Sequence, residues 1–165
     1  GGSSNASVWH IAGGYLMSAA GIDIQMITYQ EGAATAVQNA AGGFIQGVTV
    51  SLAEARSFIE SGDLICLGVM DTERNSVFPD VPTCKEQGYD ITYGTQRGMA
   101  TPLGVDEAIH TRLEEACAAA IEDPDFVTFM NNNGQTISYL DAQGYTDYLK
   151  QAATDVADAM DAVGL

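Results

Sequence analysis

Positive charge is scarce in this chain: 6 Lys and Arg stand against 22 Asp and Glu, a formal net charge of -16 over 165 residues. Such a field repels nucleic acid and anionic membrane faces, so neither is expected as a partner. Cysteine is scarce too. Cys66, Cys84 and Cys117 are widely spaced and odd in number, which excludes a disulfide framework and a CxxC metal or redox motif. The 2 histidines, His10 and His110, cannot make a metal site unless carboxylates join them at no recognisable spacing. No apolar run approaches the roughly 20 residues of a membrane span, and no basic leader with a hydrophobic centre is visible. The chain opens on glycine, not methionine, so the expectation is that a signal sequence or a longer segment precedes it.

What is present is a globular share of apolar residues, 46%, on a chain long enough to bury a core. Val8, Ile11, Ala12, Tyr15, Leu16 and Ala19 fall at helical spacing and Gly21 follows where a helix stops. IDIQMITY, residues 22–29, alternates like a short strand, and an alanine-rich helix is expected from Gly32 to Ala41, closed by Gly42 and Gly43. The rhythm repeats: FIQGVTV (44–50) as strand, Ser51 capping a helix through Ile59, then LICLGVM (64–70) as an apolar strand of the kind buried in a parallel sheet. DTERNSVFPDVPT (71–83) reads as an ordered loop, and Thr83 with Glu86 as a capping box that starts a short helix ended by Gly88. Tyr89 to Tyr93 and QTISYL (135–140) look strand-like, and helices are expected over 105–121, 124–130 and 141–163. No internal repeat or low-complexity segment interrupts this. Alternating βα units predict an α/β fold with a mostly parallel sheet.

The most suggestive stretch is the first. In GGSSNASVWH small residues precede a helix, and a helix start leaves backbone N–H groups unpaired at the positive end of its dipole, where carboxylates and phosphates bind. Neither the Lys of a P-loop nor a G-x-G-x-x-G spacing is present. Ordinary capping by Ser4 or Asn5 is the competing reading. Arg97, in TQRG where a strand breaks, suits a carboxylate, or it relieves acidic repulsion on the surface. His10 lies on the first helix away from the apolar stripe, in a structural or surface role. Cys66 and Cys117 read as core residues, Cys117 on the stripe Val105, Ile109, Leu113, Cys117, Ala120. Cys84 follows the capping Thr83, where a helix terminus could lower a thiol pKa. Asp155, Asp158 and Asp161 form a solvated face. No catalytic set and no metal or cofactor site emerges.

Six ordered motifs resemble one family. GGSSNAS with His10 in the next turn, TYQEG around Tyr29 and Gly32, Gly43 in its glycine pair, RNSVFPDVPTCKEQGY, RGMATPLGV and IEDPDF together resemble the C-terminal part of the tripartite tricarboxylate transporter substrate-binding proteins, the TctC or Bug family of solute receptors. RNSVFPDVPTCKEQGY is the most specific of these. The resemblance implies a periplasmic-binding-protein-like (type II) α/β lobe, with βα units around a mostly parallel sheet. Residues 1–93 would form the second ligand-binding lobe and residues 94–101 a crossing strand. Residues 102–165 would be the C-terminal part of a first lobe whose N-terminal half is missing from this chain. The chain is therefore expected to be a fragment, paired with that missing portion or with another copy.

The same resemblance implies a function without catalysis or cofactor. A small di- or tricarboxylate would bind in an interlobe cleft and pass to the permease subunits of a bacterial transporter, the receptor being periplasmic or otherwise extracytoplasmic, with or without a lipid anchor. Ser3, Ser4, Asn5, Ala6 and Ser7 match the family loop that holds one carboxylate through backbone and hydroxyls. Thr49, Val50 and Ser51 match a strand end and helix start facing the cleft, where Val50 and Ser51 depart from the family's acidic or amide pair. Gln96 and Arg97 match the returning strand. Gln46, Gln30 and Glu31 are further departures. The rival readings are a thiol-dependent enzyme using Cys84 and a receptor-like sensory or interaction domain.

Overall fold

The computed structural model describes residues 1–162 and Gly164, the side chains of Asp158 and Ala162 excepted. Its described helices are α1 (Val8–Ala20), α2 (Ala33–Ala41), α3 (Leu52–Glu60), α4 (Glu107–Glu122), α5 (Pro124–Asn132) and α6 (Ala142–Ala162), with a 3-10 turn at Lys85–Gln87. Local chemistry sets most of their ends. Ser7, in an extended conformation, caps α1 by accepting the His10 N–H at Oγ, and Gly21 ends it with a left-handed φ of 62° that a Cβ would oppose. Ser51 and Glu54 close a reciprocal capping box on α3. Asp123 caps α5, with Pro124 at its first position, where a missing N–H costs nothing. The expected end of α6 at Val163 lies outside the described residues.

The expected parallel sheet is reduced to two isolated parallel bridges, Gly2 with Thr28 and Val69 with Thr83, among the described residues. The segments read as strands are extended, but they pair at single positions. Residues 1–3 run between two of them: Gly2 N–H donates to Ile27 O (3.1 Å) and Tyr29 N–H to Ser3 O (3.2 Å) on one side. On the other, Thr49 N–H donates to Gly1 O (2.9 Å) and the Gly1 amine to Gly47 O (2.7 Å). Of the two flanking segments, 22–29 makes one bridge, at Thr28, and 44–50 makes none, so their period-2 pattern gives no ladder among the described residues.

The LICLGVM segment also departs from expectation, with a single bridge at Val69. Ile65 and Leu67 are 83% and 79% exposed, since no neighbour covers both faces. Cys66 and Cys117 are half-buried where core positions were expected, and the buried cysteine is Cys84. Ile109 of the expected α4 stripe is likewise exposed. The core gathers Ile11, Ala12, Ala36, Val37, Ile45, Ala55, Cys84 and Ile91, and α6 packs along α1 and adds Ala159.

The loop over residues 71–82 is pinned by its own motif. Thr83 N–H donates to Glu86 Oε2 (2.7 Å) and Glu86 N–H to Thr83 Oγ1 (3.1 Å), which is the expected box. The same Glu86 carboxylate takes Arg74 Nε at 3.0 and 2.9 Å, and Arg74 Nη1 reaches Pro79 O (3.1 Å). The Arg74 guanidinium holds the Glu86 carboxyl below its ordinary range. Arginine and glutamate at the two ends of RNSVFPDVPTCKE thus meet across the loop. Asn75 then donates to Gly134 O (2.8 Å), and Arg56 of α3 to Asn132 O, tying the first half of the chain to the end of α5.

Candidate functional site

The opening loop is built around Ala6. Ala6 has φ 56°, the single left-handed non-glycine among the described residues. Its N–H donates to Nδ1 of His10 (3.2 Å), Ser7 N–H closes a turn onto Ser4 O (3.1 Å), and Ile11 N–H starts α1 on Ser7 O (3.0 Å). The backbone N–H groups of Ser3, Ser4, Asn5, Val8 and Trp9 donate no hydrogen bond among the described residues. The helix cap is Ser7, and Ser4 and Asn5, the residues expected to cap, leave their side chains uncommitted. His10 is 5% exposed, so of its two expected roles the structural one holds. Its burial pulls the imidazole pKa below the ordinary value. Because Nδ1 accepts, the proton of the neutral ring sits on Nε2.

Thr49 joins this loop to the next expected site segment. Its Oγ1 donates to Trp9 O (2.7 Å) and approaches Gly1 O (3.3 Å). Val50 and Ser51 follow, with Ser51 Oγ and N–H both engaged by Glu54 Oε2 (2.7 and 3.0 Å). Tyr93 lies on Tyr15 of α1 (centroids 4.6 Å apart), and residues 94–101 then pass against two helices, Gly98 on the Tyr145 ring of α6 and Met99 Sδ accepting from Cys117 of α4 at 3.3 Å. A side chain at position 98 would collide with that ring.

A cleft of about 2300 Å³ opens between these parts, and Trp9, Thr49, Val50, Ser51, Gln96 and Arg97 all line it. Sequence-expected residues from two distant stretches therefore share one cavity. Of the opening stretch, Gly1 and Trp9 reach this cleft, whereas Ser3, Ser4, Ala6 and Ser7 are not among its lining and Asn5 faces a separate cavity of about 410 Å³ beside His10, Asp23 and Thr28. Arg97 is exposed and makes no ion pair or hydrogen bond among the described residues. Trp9, which lines the cleft, was not singled out in the sequence. His10 was read there as structural or surface and as part of the opening motif, and the structure buries it.

Cys84 is not placed for nucleophilic work. It is buried, and burial raises its thiol pKa, the opposite of what the start of a helix was expected to do. No group of three or more His, Cys, Asp or Glu able to hold a metal occurs among the described residues. No described helix is long and apolar enough to cross a membrane.

A cleft lined by the start of a helix and by an extended segment suits the class of solute receptors. The chain belongs to the TctC family, the tripartite tricarboxylate transporter family receptors, whose family model matches residues 1–165. It is 26% identical over 145 residues to the UPF0065 protein in the gbd 5' region of Cupriavidus necator, covering 88% of this chain and 44% of that one. It is 28% identical over 117 residues to protein BugT of Bordetella pertussis, covering 70% and 36%.

Among solved structures, a TctC solute-binding protein from Polaromonas superposes with a TM-score of 0.81 at 28% identity, over 96% of this chain and 55% of that one. The fold is shared with R. palustris Rpa4515 solved with adipate (TM-score 0.79, 17% identity, 98% and 55% covered) and with MatC of Rhodopseudomonas palustris with bound malate (0.73, 22%, 98% and 55%). The chain thus spans less than half the length of those curated relatives and about 55% of the solved chains. The family is one of binding receptors and not of enzymes.

Proposed function

We propose that this chain contributes one side of a cleft that binds a small di- or tricarboxylate and presents it to the permease subunits of a tripartite transporter outside the cytoplasm. Residues 1–93 act as the second lobe, 94–101 as the crossing segment, and 102–165 as part of the first lobe. Ser3, Ser4, Asn5, Ala6 and Ser7, which the cleft lining reaches only at the flanking Gly1 and Trp9, offer the amide-rich start of α1 to one carboxylate, Thr49, Val50 and Ser51 the adjoining wall, and Gln96 and Arg97 a second carboxylate.

One observation carries this reading. Five of the 6 cations have an acid within ion-pair distance: Arg56, Arg74, Lys85, Arg112 and Lys150. Arg97 alone has none among the described residues, in a chain with 22 acids, and it lines the cleft. A guanidinium left without an internal acid is available to a ligand carboxylate, to which it can donate two parallel hydrogen bonds. The net charge of -16 does not forbid an anion, because donors within a few ångströms outweigh distant charges screened over about 8–10 Å. Malate and adipate, present with two relatives of the same fold, head the candidates.

Calorimetric titration with malate, adipate and citrate tests it. Arg97→Ala should leave the unfolding temperature in plain buffer unchanged and weaken the best ligand by about 10-fold or more, the worth of a charge-assisted hydrogen bond. No binding of any mono-, di- or tricarboxylate, or equal affinity in the variant, would sink the proposal.

A further inference from the structure

We infer that His10 is the positioning residue of the opening loop: its neutral imidazole, accepting the Ala6 N–H at Nδ1, holds Ala6 in its left-handed turn and keeps the amides of Val8 and Trp9 uncommitted at the start of α1. The inference rests on the carboxylate-binding reading of that loop, and it adds the residue that shapes it.

Ala6 is where the backbone is strained. A left-handed alanine is disfavoured by about 1–2 kcal/mol, and such a conformation persists only where surrounding contacts over-determine it. His10 supplies two of those contacts from one place. Its backbone N–H donates to Ser7 Oγ (3.3 Å), and its ring accepts from Ala6 N–H (3.2 Å). At 5% exposure, among Ile11, Ala12, Gly13 and Gly14 of the buried stretch of α1, the ring is a fixed post and not a surface side chain. Without the acceptor the Ala6 N–H would lose its partner, and the turn could relax toward the right-handed conformation. α1 would then extend backward, and the Val8 and Trp9 amides would be taken up by helical bonds to Ser4 O and Asn5 O.

The acceptor exists only in the neutral ring. Protonation places a hydrogen on Nδ1, which then repels the Ala6 N–H. His10 lines a cavity with Asn5, Met17, Asp23, Ile24, Met26, Thr28 and Gly164. Asp23 is the titratable group in that lining, and no charged side chain of α6, the helix packed on α1, lines it among the described residues. Since the folded-state pKa lies below the ordinary 6.5, the contribution is complete above pH about 6.5 and is lost as pH falls through that value toward the folded one.

Two substitutions separate the latch from mere bulk. Asparagine places its Oδ1 near the position of Nδ1 and does not titrate, whereas glutamine carries its oxygen toward the position of Nε2. In ligand-free protein at pH 7.5, Ala6 amide exchange should stay slow in His10→Asn and quicken by about 10-fold in His10→Gln, the loss of about one hydrogen bond. Malate or adipate affinity at pH 7.5 should follow the same order. Equal exchange in wild type and both variants overturns the latch whatever binds. Absence of carboxylate binding in wild type with the exchange pattern intact overturns the binding reading and leaves the latch standing. If both variants fail to fold, wild type decides: a ¹⁵N spectrum showing a protonated Nδ1, or no through-bond coupling from Nδ1 to the Ala6 amide proton, overturns it.

Discussion

Ala6 is the residue at which local preference and structure disagree most. With φ 56° it occupies the region that glycine enters freely and alanine does not. Ala6→Gly should therefore raise the unfolding free energy by up to about 1 kcal/mol, the relief of strain partly offset by the greater freedom of glycine in the unfolded chain. In a domain of this size that is about 2–4 °C in a thermal melt. A lower unfolding temperature would mean that the methyl group, not the turn, is what this position needs. The same variant should loosen the loop's fixed geometry, so affinity and stability are expected to move in opposite directions. None of this was legible in the sequence, where alanine between Asn5 and Ser7 looks like ordinary helix-start material. The left-handed turn is imposed by a histidine four residues on whose burial only the folded core reveals.

At the scale of elements, the signals that were read correctly are local ones. Ser51 with Glu54, Thr83 with Glu86, Gly21, and Asp123 before Pro124 each fix a helix end through atoms a few residues apart, and helix bounds fall close to expectation. Strand pairing is not local, and it went unread. Alternation in 22–29 and 44–50 states which side chains share a face but not which backbone lies alongside, and the segment between them is residues 1–3. The distant cleft-lining residues Thr49–Ser51 and Gln96 were reached through family motifs, and Arg97 first through its setting in TQRG, none of them through periodicity. The RNSVFPDVPTCKE segment shows what such a motif does physically: Glu86 is at once the third member of a capping box and the receiver of Arg74. Glu86→Ala should release both ends of the 71–82 loop. Chymotrypsin is then expected to cut after Phe78 several times faster than in wild type, with helix content by circular dichroism unchanged. Equal cleavage would show that Asn75, through Gly134 O, holds the loop unaided.

At the scale of the whole molecule the charge imbalance acts on stability and on binding in opposite senses. With -16 on 165 residues and five of the 6 cations already paired, the exposed acids repel one another in the compact state more than in the expanded unfolded chain. Added sodium chloride shortens the screening length from about 30 Å at 0.01 M to about 8 Å at 0.15 M, so the unfolding temperature should rise over that interval. The ion pairs do not reverse this, because every one is solvent-exposed and such pairs contribute about 0–1 kcal/mol each at most. Ligand binding responds to two fields. Screening weakens the attraction of Arg97 for a carboxylate, and it also weakens the long-range repulsion that a negative molecule exerts on an arriving anion. The second effect acts on the encounter and the first on the bound state, so salt should speed association of malate or adipate and speed dissociation as well. Stopped-flow measurement at the two ionic strengths separates them. In Arg97→Ala the dissociation rate should lose most of its salt dependence while the association rate keeps its rise. A dissociation rate equally salt-dependent in both proteins would place the bound carboxylate away from Arg97 and on the α1 amides alone.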